Sequence, residues 1–148
     1  MHILSGPIDT MSDVVEAVDL NQTAGDIVIL SAADSDLNCL VRANSKTSSK
    51  TPSLRLANLT KLGHNLSVDI YCEKIISSAK LIIIRLIGGV SYWPYGLEQI
   101  RNTARQAGAK LVVVPGDDKN DPQLTSYSNT SADVIDRIWA YFTNGGVG

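Results

Sequence analysis

Dense apolar runs alternate along this chain with segments of helical period. Asp26-Ile27-Val28-Ile29-Leu30-Ser31 is rich in β-branched residues and bounded by Gly25 and the small pair Ala32-Ala33. That pattern predicts a buried strand. Ser53 to Leu59 predicts a second strand, carrying Leu54, Leu56 and the small Ala57. Lys80 to Ile87 is apolar on both faces apart from Arg85, as the central strand of a parallel sheet would be. Lys110 to Val114 predicts a fourth strand, stopped by Pro115-Gly116.

Helical patterns fill the gaps. Asp34 or Ser35 is a good cap for a helix with Leu37, Leu40 and Val41 on one face. Ser67 is a good cap for another, where Val68, Cys72, Ile75, Ile76 and Ala79 recur at helical spacing. Pro94 opens a third, with Leu97, Ile100, Ala104 and Ala107 as its buried stripe and Gly108 at its end. Ser131 caps the last, with Ile135, Ile138, Trp139 and Phe142 facing inward. Residues 1–25 are ambiguous, with a short strand at His2–Leu4. Residues 44–53 read as a polar connection. Residues 115–130 lack periodicity and read as a long functional or partner-facing loop.

Strand and helix alternating four times imply a parallel sheet of four or five strands between helical layers. The expected class is α/β, a flavodoxin-like or Rossmann-like three-layer domain spanning residues 1–148. In the order 2-1-3-4, the first and third strands are neighbours whose connections leave towards opposite faces. A crevice then opens between Ser31–Asp34 and Gly88–Trp93, with Pro115–Asp118 along one side.

Composition narrows the function classes. The 148 residues are 44% hydrophobic with a net charge of −2, so no electrostatic footprint for nucleic acid is expected. The longest apolar run is broken by Arg85 and is far shorter than a bilayer span. Met1-His2-Ile3-Leu4-Ser5-Gly6 has neither a basic region nor a long apolar core, and a cytoplasmic protein is expected. Cys39 and Cys72 have no metal-type spacing and read as small buried hydrophobes. Asn144-Gly145-Gly146-Val147-Gly148 reads as the start of a linker, which suggests a domain cut from a longer chain.

The segment Arg85 to Leu97 holds the densest candidate chemistry. Gly88-Gly89 matches neither a GxGxxG fingerprint nor a P-loop; a tight turn and a phosphate at a helix start both remain open. Arg85 would clamp a carboxylate or form a structural pair with Asp34 or Asp117. Tyr92, Trp93 and Tyr95 would stack on a flat ligand, anchor a partner, or pack the domain's own core. Asp117, Asp118 and Asp121 would hold a divalent cation or serve as solvated turn acids. His64, in a loop before a helix cap, would ligate a metal or tetrapyrrole or serve no ligand role, since a lone imidazole has no partner set. Ser31 lacks a nucleophile elbow, and no hydrolase triad can be assembled. The candidate crevice set is Ser31, Asp34, Asn58, Arg85, Gly88, Gly89, Tyr92, Trp93 and Asp117, with no catalytic or metal-ligating residue assigned.

Several ordered stretches carry a family resemblance. They are Glu16 to Gln22, Gly25 to Asp34, Pro52 to Leu59, Ser67 to Tyr71, Arg85 through Gly89 to Leu97, and Pro115 to Lys119. Together they resemble the N-terminal region of the cobaltochelatase large subunit, the CobN family, and more distantly the magnesium chelatase large subunit. The resemblance implies a domain of a very long subunit. With AAA+-type ATPase partners, that subunit inserts Co²⁺ into hydrogenobyrinic acid a,c-diamide in aerobic cobalamin synthesis. It further implies that ATP belongs to the partners, that this domain holds no cofactor and is inactive alone, and that the corrinoid macrocycle and the rest of the subunit are its neighbours. Its role would be to help enclose the macrocycle or to dock other domains. The alternatives are a purely structural or subunit-docking domain and a stand-alone flavodoxin-like ligand-binding module. No nucleic acid or membrane partner is expected.

Overall fold

In a computed structural model, residues 19–33 and 53–143 are described. Among the described residues four strands form one sheet: β1 Ile27–Ser31, β2 Leu54–Asn58, β3 Leu81–Leu86 and β4 Lys110–Pro115. All neighbours are parallel, in the order β2-β1-β3-β4. The expected 2-1-3-4 order is thus the observed one. The helices are α1 Asn65–Lys74, α2 Pro94–Ala107, α3 Pro122–Thr125 and α4 Ala132–Thr143. The expected strand at His2–Leu4, the helix after Asp34, Cys39 and the linker at 144–148 lie outside the described residues.

Side chains alternate across the strands and build two cores. On one face Val28, Leu30, Ile82, Ile84, Leu111 and Val113 pack against Val68 and Cys72 of α1 and against Leu97, Ile100 and Ala104 of α2. On the other, Ile29, Ile83, Val112 and Val114 pack against Phe142 of α4, with Ile135, Ile138 and Trp139 alongside. The continuous burial of β3 follows from its central place between helical layers.

Among the described residues, side chains bond alongside both outer strands. Arg55 of β2 donates to the Thr23 and Ala24 carbonyls and to Thr23 Oγ1, which ties residues 23–24 beside the strand. On β4, Asn129 Oδ1 accepts from Leu111 N at 2.7 Å and Asn129 Nδ2 donates to Ala109 O at 3.0 Å. Ser128 Oγ accepts from Val113 N at 2.7 Å. The Asn129 and Ser128 side chains occupy β4 backbone groups that would otherwise invite another strand.

The element ends refine several sequence expectations. His64, not Ser67, caps α1: its Nδ1 accepts from Leu66 N at 3.1 Å. Ser67 is fully buried inside the helix. The helix stops at Lys74 and Ile76–Ser78 continues as a 3-10 turn, yet Ile75, Ile76 and Ala79 are buried as their spacing implied. Pro94 opens α2 and Gly108 closes it at φ 73°, the left-handed conformation glycine tolerates best. Ala107, in the last turn, is exposed rather than part of the buried stripe. The stretch 115–130 contains α3, capped by Asp121, whose Oδ1 accepts from Leu124 N.

Candidate functional site

Because every strand runs the same way, the strand-to-helix connections gather at the carboxyl edge of the sheet. There the chain leaves β3 through Ile87, Gly88 and Gly89, and leaves β4 through Gly116 to Asp121. Gly88 and Gly89 sit at φ 103° and 78°. A side chain at either would be strained, and a Cβ on Gly88 would lie 3.2 Å from Tyr92 Cβ. Between the two connections lies a cavity of about 260 Å³, lined in part by Gly88, Gly89, Asp117, Lys119, Asn120 and Asp121.

The structure brings Gly88, Gly89 and Asp117 to this cavity and puts other predicted residues elsewhere. Trp93 is only 2% exposed. Its Nε1 donates to Leu62 O at 3.0 Å. Its indole lies so close to α2 that a Cβ on Gly96 would come within 2.0 Å of it. Trp93 therefore packs the domain's own core and joins the start of α2 to the turn Leu59–Leu62. Tyr92 is half-buried over Gly88. Tyr95 donates to Asp69 Oδ1 at 2.7 Å, and that bond raises the pKa of its phenol.

Arg85 is buried and faces α4. Its Nη2 donates to Gly116 O at 3.2 Å, and its guanidinium lies 5.0 Å from the centre of the Phe142 ring. It braces the β4 connection from below, in a cation–π geometry. Ser31 is buried, and its Oγ accepts from Ala33 N. Asn58 caps the turn after β2 by accepting from Thr60 N and Oγ1. Asp34 lies outside the described residues.

The acidic loop is used for turn formation. Asp117 Oδ1 accepts from Lys119 N, and the Asp117 carbonyl accepts from Trp139 Nε1 at 2.9 Å. Among the described residues, no group of three or more His, Cys, Asp or Glu could hold a metal ion. Lys119 and Asn120 were not singled out from sequence. The Asp121-Pro122 pair, a cap followed by proline at the first helical position, was the available signal that this loop turns into a helix.

Two large apolar side chains at this edge face outward: Ile87 is 52% exposed and Leu66 51%. Ile87 lies across Gly116, where any Cβ would meet its Cγ1 at 2.2 Å. The edge therefore combines a small polar cavity with exposed aliphatic surface. Among the described residues, no helix is long and apolar enough to cross a membrane.

No family model matches the chain. It is 44% identical over 146 residues to the aerobic cobaltochelatase subunit CobN of Sinorhizobium sp, a match covering 99% of this chain and 11% of that protein. The counterpart from Pseudomonas aeruginosa is 42% identical over 128 residues, covering 86% and 10% respectively. The chain spans about a tenth of the length of these curated relatives. Among solved structures, the catalytic subunit of cobaltochelatase from Mycobacterium tuberculosis matches with a TM-score of 0.60 at 25% identity, over 79% of this chain and 9% of that one.

Proposed function

The chain is homologous to a segment of the CobN cobaltochelatase subunits, and from that premise we propose that it works as one domain, the N-terminal one, of such a large subunit. The complete subunit, driven by AAA+-type ATPase partners, inserts Co²⁺ into hydrogenobyrinic acid a,c-diamide in the cytoplasm. The metal is substrate there, and ATP is consumed by the partners. This domain uses its carboxyl edge to close the macrocycle site or to dock neighbouring domains. The observation that supports this reading is the 44% identity maintained over 146 residues.

Docking is the stronger of the two roles. A pocket that buries a small organic ligand usually measures roughly 300–1,000 Å³, whereas the edge cavity holds about 260 Å³. A corrinoid macrocycle is larger than that, and the aromatic best suited to stack on it, Trp93, is committed to the core. Exposed Ile87 and Leu66 instead suit an apolar partner surface. The domain thereby bounds the macrocycle site from outside its own fold.

Deleting residues 1–148 from the complete subunit separates the roles. Loss of assembly supports docking. Intact assembly with a weakened Kd for the corrinoid supports direct contact. Intact assembly with unchanged binding and cobalt insertion overturns both. The isolated chain is expected to show no ATPase and no chelatase activity.

A further inference from the structure

A second cavity lies away from the carboxyl edge, where α2 ends and β4 begins. It measures about 390 Å³. Arg101, Arg105, Lys110, Tyr127, Ser128 and Asn129 are among its lining residues. Three of these are cations, and none of the residues lining the cavity is acidic. In a chain of net charge −2 this is a local excess of positive charge.

We propose that this cavity binds a small oxyanion, the phosphate or carboxylate group of a metabolite, between Arg101, Arg105 and Lys110. The carboxyl end of α2 opposes an anion here with roughly half a negative charge. A single basic residue in the last turn would offset that, and Arg105 supplies it. Arg101 and Lys110 are in excess of that need. Arg101 is partly neutralised by Glu98, which its Nη2 meets at 2.7 and 2.9 Å. The Arg101 guanidinium carbon lies over the Tyr127 ring, 4.5 Å from its centre. Its Nε is buried without an acceptor, so the guanidinium's hydrogen-bonding capacity is not used up within the fold. A planar donor group held by an aromatic face suits the forked geometry of phosphate and carboxylate oxygens. The backbone amides nearest the cavity are already bonded within the fold: those of Gly108 and Ala109 donate to α2 carbonyls, and that of Asn129 donates to Leu111 O. Recognition therefore falls to side chains and should weaken with salt.

The test is amide chemical-shift titration of the full chain with inorganic phosphate and, separately, with citrate, each against sodium chloride at matched ionic strength. Saturable shifts centred on Gly108, Lys110, Ser128 and Asn129 are expected. Binding should fall at least tenfold in the Arg105→Glu, Lys110→Glu double variant and stay unchanged in Lys61→Glu, an exposed position that lines neither cavity. Arg105→Gln with Lys110→Gln replaces the double variant if that one fails to fold. Response to phosphate alone identifies a phosphate ester, to citrate alone a carboxylate, and to both the shared oxyanion chemistry. Shifts that match sodium chloride, never saturate, or ignore the double variant overturn the proposal.

Discussion

Gly96→Ala sets helix propensity against packing, and the two predict opposite signs. Gly96 lies in the first turn of α2, where replacing glycine by alanine favours an isolated helix by up to about 1 kcal/mol. The new Cβ would, however, sit 2.0 Å from Trp93 Cε2 and 2.3 Å from Cζ2. Trp93 is buried and bonded to Leu62 O, so the indole has little room to retreat. Overpacking of this kind costs about 1–3 kcal/mol. Displacing the indole leaves Leu62 O without its donor, for about 1–3 kcal/mol more. After subtracting the propensity gain, a net loss of about 3 kcal/mol is expected. Urea unfolding followed by far-UV circular dichroism measures it. With an m-value of about 2 kcal/mol/M, the midpoint should fall by roughly 1–2 M. In a Trp93→Leu background the same substitution should cost much less, since the clashing ring is gone. A midpoint unchanged or raised by Gly96→Ala would refute the packing argument.

Other expectations follow from the same contacts. Gly88→Ala forces a Cβ into a positive-φ residue and against Tyr92, and should cost about 1–2 kcal/mol in the same denaturation assay. Asn129→Ala removes the acceptor of Leu111 N and the donor to Ala109 O, for about 2 kcal/mol, with faster amide exchange at Leu111 as the local signature. Burial pushes the Cys72 thiol up to about 11 from an ordinary value of 9.0. The folded state then holds that proton more tightly than the unfolded state. Its contribution is complete below pH 9 and is lost as pH rises from 9 towards 11. Stability measured across that window should fall more steeply in the parent than in Cys72→Ala.

Much of the fold could be read from periodicity, because β3 and β4 are buried on both faces and write dense apolar runs, broken in β3 only by Arg85. The stripe of α2 was legible but for Ala107, whereas the apolar spacing after Ser67 ran past the end of α1 at Lys74 into the 3-10 turn. The site was less legible, for reasons that lie in three-dimensional packing. A tryptophan beside a glycine pair reads as a ligand platform or as core filler, and only the packing of the indole over Gly96, which has no Cβ to exclude it, decides which. Arg85 stands at a strand end where sequence allows a clamp; its parity with Ile83 turns it instead towards α4. His64 carries no local pattern that separates a cap from a ligand. The cavity beside Arg101 joins α2, β4 and the segment after α3, which are far apart in sequence.

Ile87→Glu in the complete large subunit tests the role of the carboxyl edge most directly, with cobalt insertion into hydrogenobyrinic acid a,c-diamide as the readout. Ile87 is half exposed, so the isolated domain should keep its fold and its unfolding midpoint within a few tenths of a molar. The account predicts at least a tenfold loss of insertion rate, accompanied by weakened assembly of the subunit. A variant that assembles and inserts cobalt at the parent rate would contradict it.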